Sequence, residues 1–117
     1  MRTCWIEDDD GSGSIAGAAA VVFVAAVLCA VVPLGAALAE VETLRGAADA
    51  SALAAADTAS GRVPGVACDQ AVAIVHRLGV EMVSCTVSDQ GVADVAVTTT
   101  ILGIPVGAVA RAGPPVR

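Results

Sequence analysis

From Ser14 to Ala39 the chain carries no charged residue. This run restricts the fold more than any other feature. Roughly 26 residues make a helix of about 39 Å at ~1.5 Å per residue, and about 20 apolar residues suffice to cross a bilayer. The chain has 117 residues. A soluble protein of that size could not surround so long a helix that is apolar on every side. Insertion into lipid is therefore the leading expectation, with a buried core helix the weaker one. Pro33 interrupts the run late, and in a membrane helix it kinks the axis rather than ending it.

A cleaved secretory signal competes with a retained anchor. The sequence "ALAE" (Ala37 to Glu40) places small residues where signal peptidase reads them, so cleavage would follow Ala39. Two features oppose it. The apolar run exceeds the ~7–15 residues of a signal peptide, and the preceding segment is acidic where such a peptide needs positive charge. Glu7, Asp8, Asp9 and Asp10 stand there against Arg2. The 1–13 stretch thus reads as a polar, acidic N-terminal segment, with Ser12 or Ser14 able to cap a helix that begins near Ile15.

Charge and motifs exclude several classes of function. Net charge is −6, and the six basic residues are all Arg and scattered. Nucleic acids and anionic surfaces need clustered Lys and Arg. Gly11, Gly13 and Ala16 match G-x-G-x-x-A, but no strand precedes them and the neighbouring acids would repel a pyrophosphate. The four cysteines and His76 show no paired C-x-x-C spacing, so a zinc site is not expected. No Ser or Cys nucleophile has a plausible base. The expectation is a non-enzymatic protein with no catalytic residue, no cofactor, no metal, no nucleic-acid partner and no small-molecule substrate. Gly13 and Gly17 form G-x-x-x-G at the helix start, a spacing that lets membrane helices touch, although a chain rich in Ala and Gly produces it often.

Beyond the span, "EVETLRGAADASALAAADTAS" (40–60) continues as helix. Val41, Leu44, Ala48, Ala52, Ala55 and Ala59 recur at helical spacing opposite Glu42, Arg45, Asp49 and Asp57. "SGRVPG" (60–65) breaks it. "CDQAVAIVHRLG" then reads as a short helix capped by Asp69, with a stripe of Ala71, Ile74, Val75 and Leu78 and an end at Gly79. "VEMVSCTV" (80–87) alternates, setting Glu81, Val83, Cys85 and Val87 on one face and Val80, Met82, Ser84 and Thr86 on the other. After the turn "SDQG", Val92–Ile101 alternates again with Ala93, Val95 and Val97 together. "LGIPVG" breaks that strand, and a third strand covers 106–112.

The fold class is thus α+β and membrane-anchored: a long N-terminal transmembrane helix (14–39), its continuation (40–60), and a small domain (66–113) with one helix and about three antiparallel strands. Cys68 opens the short helix and Cys85 lies in a strand, so a bridge between them would staple helix to sheet. The alternative is two reduced, buried thiols. A bridge would place this half outside the cytoplasm, with the N-terminus inside.

Several motifs in order resemble one family. "GSGSIAGAAAVVFVAAVL", "RGAADASALAAA" (45–56), "ACDQAVAIVHRLGVEMVSCTV", "DVAVTTT" and "ARAGP" (110–114) resemble the TadE/TadG-like proteins of tight-adherence (Flp) pilus systems. They are most similar to the short actinobacterial TadE-like proteins encoded beside helicase and secretion genes. The resemblance covers nearly the whole chain after Asp10. It implies a single-pass protein of the cell membrane with pilin-like architecture, acting in pilus assembly or an associated secretion system without enzymatic activity. Its implied partners are the membrane, other pilus or secretion components, and further copies of itself. Some relatives are processed after a Gly before the apolar helix, which makes Gly11 and Gly13 the candidate processing positions. The chain departs from the prepilin pattern: its leader is acidic, and Ala16 and Ala18 stand where a Glu is expected five residues after each Gly. The alternative function is a small secreted domain, released after Ala39, that binds a surface partner.

Overall fold

A computed structural model describes residues 12–115 of the chain. It contains five elements: α1 (Ser12–Ala59), α2 (Ala67–Arg77), β1 (Glu81–Val87), β2 (Ala93–Ile101) and β3 (Ile104–Ala112). The chain divides into two compact units between Ala36 and Ala37. In the first, every described residue from Gly13 to Ala36 is exposed, including Phe23 at 69%. In the second, the strands form an antiparallel meander in the order β1-β2-β3. This is the α+β layout expected.

The core of the second unit is built from small residues. On α1, Leu44, Ala48, Ala52, Ala55 and Ala56 form its helical side. They meet Ala71 and Val75 of α2, Ala93, Val95 and Val97 of β2, and Ala110 of β3. Ala has no side chain beyond Cβ, so the elements can approach closely, and the gain per residue is modest. Leu44 is the one large side chain that α1 buries fully. Burial on α1 also spreads sideways to Ala47, Ser51 and Thr58, because both α2 and the sheet share its core. The two polar members stay satisfied locally: Ser51 Oγ donates to the Ala48 carbonyl at 2.9 Å and Thr58 Oγ1 to that of Ala54 at 2.9 Å. Ala59, which the helical spacing assigns to the stripe, is exposed.

Both helices stop by the same device. The Arg62 N–H donates to the Asp57 carbonyl at 3.0 Å and Gly61 N–H to Thr58 at 3.1 Å, with Gly61 at φ 77°. In α2 the Val80 N–H donates to Val75 at 3.0 Å and Gly79 N–H to His76 at 3.3 Å, with Gly79 at φ 69°. These paired bonds around a left-handed Gly satisfy carbonyls that the helix end leaves open. The start of α2 differs from expectation. Asp69 is not its cap: the helix begins at Ala67, and Val66 holds the cap position without a side-chain hydrogen bond. Starting earlier brings Ala67 onto the core one turn before Ala71, a burial gain that outweighs the lost cap. Asp69 remains in the first turn, where its carboxylate favours the helix dipole. Within the expected stripe, Leu78 is exposed.

The strands depart from simple alternation at one place. The β1–β2 register shifts between Met82 and Ser84, so Val83 has no partner on β2. Met82 then pairs Val97 and Cys85 pairs Val95, and both pack on the core. Alternation alone had put them on opposite faces. One extra residue in a bulge reverses the phase, and Val83 is turned out to 64% exposure.

The break expected at 102–107 is also tighter than the sequence suggests. Ile101 pairs Ile104, leaving Leu102 and Gly103 as a two-residue turn with φ 51° and 78°. β3 therefore begins at Ile104 and includes Pro105, which an edge strand tolerates although it cannot donate. Two-residue turns with both φ positive favour Asn-Gly, because Asn accepts the left-handed region more readily than Leu.

Two measurements test this account. Ala55 is fully buried, so Ala55→Leu should overpack the helix–sheet contact and lower unfolding stability by about 1–3 kcal/mol. Leu102→Asn should raise the stability of the same unit by about 1 kcal/mol through relief of turn strain. Urea unfolding of the full chain in detergent, followed by circular dichroism, reads both.

Candidate functional site

The features that sequence reasoning singled out fall into two groups. The first is the apolar half of α1. Its length and composition let it cross a membrane, and none of its most apolar window is buried within the protein. Pro33 lies inside α1 without ending it. Gly13 and Gly17 sit on this segment, and a Cβ built on either would meet nothing within 4 Å. Their faces are open to close approach by another helix. Gly11, the other candidate processing position, lies outside the described residues, as do Cys4 and the acids at 7–10. Cys29 is a free, exposed thiol on the apolar segment.

The second group is the stapled domain. Cys68, in the first turn of α2, and Cys85, in β1, form a disulfide with their Cα atoms 5.8 Å apart. The sequence produces this juxtaposition in three steps. Gly79 ends α2 and turns the chain straight into β1. The bulge at Val83 brings Cys85 to the helix side of the sheet. The early start of α2 puts Cys68 inside the helix rather than ahead of it. A bridge closing a loop of this size, with a sequence separation of 17, typically adds about 3 kcal/mol. Beside the bridge, Ala71 and Val75 of α2 and Met82 of β1 belong to the same core, so the staple adds to apolar packing between the two elements.

Among the described residues no group of three or more His, Cys, Asp or Glu side chains converges. His76 is exposed in the last turn of α2. A shallow depression of about 610 Å³ lies between Gln90, Val92, Arg111 and Pro114, and Arg111 is its one charged lining side chain. Arg111 is paired across strands with Asp94 at 3.7 Å. That pair is exposed, as are Arg45–Glu42 and Arg62–Asp57, and exposed pairs contribute little to stability.

Sequence reasoning missed three positions. Val83 was invisible because alternation predicts a continuous phase, and only the register with β2 reveals the extra residue. Ser51 was passed over as polar, although its hydroxyl is satisfied inside its own helix. Leu102 falls in a segment that sequence reads only as a break, because Leu-Gly is not one of the dipeptides that signal a two-residue hairpin. No protein-family model, curated protein or solved structure matches this chain.

Replacing both Cys68 and Cys85 by Ala should lower the stability of the domain by about 3 kcal/mol. Urea titration of the oxidised chain against the double variant measures the difference. An equal midpoint would mean that packing alone holds α2 on β1.

Proposed function

We propose that this chain is a TadE-like, single-pass protein of the cell membrane. In this reading it is a non-enzymatic component of a tight-adherence pilus assembly or of an associated secretion system. The observation that carries the reading is α1 itself. One uninterrupted helix has a first half exposed and apolar all round, and a second half that forms the spine of a small α+β domain. The first half has no surface that water would tolerate in bulk. Lipid satisfies it, because a helix leaves no backbone group unpaired in the hydrocarbon.

The orientation follows from the disulfide. A persisting bridge belongs to an oxidising compartment, so the domain from Glu40 onward lies outside the cytoplasm and the acidic N-terminal segment inside. The protein then works through contacts: helix on helix in the membrane, where Gly13 and Gly17 permit close approach, and the outer domain against further pilus or secretion components. The family assignment rests on the order and spacing of motifs from "GSGSIAGAAAVV" to "ARAGP". One structural feature favours the secreted alternative. The compact unit begins at Ala37, so cleavage after Ala39 would leave every core residue in place.

The mature N-terminus separates these readings. Mass spectrometry of the membrane fraction should find the 14–39 segment retained. A start at Ser12 or Ser14 would mark prepilin-type processing on the same anchor. A start at Glu40, with the protein in the medium, would overturn the anchor. Thiol labelling without reductant should leave Cys68 and Cys85 unmodified, and ready labelling of both would count against the bridge from which the orientation is argued.

A further inference from the structure

The second unit presents an apolar tip beside the point where α1 leaves the charge-free run. A groove is lined jointly by Glu40, Thr43 and Leu44 of α1, Leu78 to Val80 after α2, and Thr99 and Thr100 of β2. Thr100 is thus level with the first charged residue after the apolar segment. The β2–β3 hairpin continues past it, and two further residues advance about 7 Å at ~3.3 Å each. At its end stand Leu102, 77% exposed, and Ile104, 64% exposed. Leu78, 48% exposed, opens onto the same groove, and Leu38 is exposed just before Glu40 on α1. Four large aliphatic side chains therefore gather at one end of the domain.

Two observations make this more than scattered surface apolarity. No charged residue occurs between Asp94 and Arg111, so the whole tip lacks the charges that usually protect an exposed hairpin on an edge strand. Leu102 also occupies a left-handed position, φ 51°, where Asn or Gly would be easier. A strained, exposed aliphatic at a turn is costly in water on both counts.

We propose that the β2–β3 hairpin tip is a second membrane contact, with Leu102 and Ile104 inserted into the acyl-chain boundary of the leaflet from which α1 emerges. This rests on the anchor reading above, since lipid lies beside Glu40 only if the preceding run spans the membrane. The occupant is lipid rather than a protein groove, because the strand that carries the tip shares a groove with Glu40, the residue at which the charge-free run ends. Insertion is driven by apolar burial; the acidic chain has no basic cluster to attract headgroups, so the contact is insensitive to salt. With two points of attachment the domain is held in one orientation to the membrane instead of swivelling about α1.

The test uses the full chain, with Cys4 and Cys29 replaced by Ser and the Cys68–Cys85 bridge kept. Single cysteines are placed by Val22→Cys, Leu102→Cys or Val109→Cys and labelled with an environment-sensitive fluorophore. Val109 is a matched control, 78% exposed but outward-facing on β3. Each is reconstituted in phosphatidylcholine vesicles with and without spin-labelled lipid. The expected result is a blue shift and quenching by lipid at positions 22 and 102, with neither at 109. Quenching at 22 without quenching at 102 would overturn the hairpin contact and leave the anchor standing. Absence of quenching at 22 would remove the anchor and this proposal with it. Equal quenching at 102 and 109 would show general adsorption of the domain, and would also overturn a specific tip contact.

Discussion

Close packing of the Ala-rich side of α1 against the sheet is the contact on which the rest of the folded unit depends. A chain with one Phe and one Trp cannot assemble a core from bulky rings. It instead buries small residues of α1, Ala48, Ala52 and Ala55, in one cluster with valines of α2 and β2. Such a core has little tolerance for added volume and draws modest stability from each residue. Leu44 and the three valines Val75, Val95 and Val97 supply most of its large fully buried side chains.

A core so lean needs reinforcement, and the structure supplies it at the junctions between elements. Left-handed glycines end both helices with paired hydrogen bonds. The bulge at Val83 adjusts the phase of β1 so that Met82 and Cys85 both contribute to the packed face. The disulfide then joins α2 to β1. These devices are linked. Without the bulge Cys85 would face away from the helices, and without the turn at Gly79 the strand would not return alongside α2. An extracytoplasmic setting, where the bridge persists, is the setting in which such a domain gains most.

The proposed function rests on the distribution of surface along the chain. The apolar half of α1 is exposed throughout, the outward side of the sheet mixes Ser, Thr and a paired Asp94–Arg111 with the single valines Val83 and Val109, and the hairpin tip is aliphatic. Such a surface suits a protein that is positioned in a membrane and acts by contact. In the proposed arrangement the hairpin and α1 together orient the outer domain, leaving its remaining faces for partners in the assembly.

Much of the architecture was legible in residues alone. The charge-free run from Ser14 to Ala39, the helical spacing through Leu44 and Ala55, Gly79 as a stop, and the alternation of Ala93, Val95 and Val97 are local patterns, and local physics determines them. The limits of the short helix, the phase of β1 and the turn at Leu102 were not legible, since each depends on a partner. Ala67 joins α2 because the core rewards it over the cap at Asp69. Val83 bulges because β2 dictates which neighbours must face the helices. Leu102 adopts a left-handed turn because Ile101 and Ile104 pair across it. Sequence by itself determined which segments are helix, strand and lipid-compatible, since those depend on periodicity and polarity along the chain. Only the tertiary structure decided register, the meeting of Cys68 with Cys85 and the position of the hairpin beside Glu40, since those depend on contacts between residues far apart in the chain.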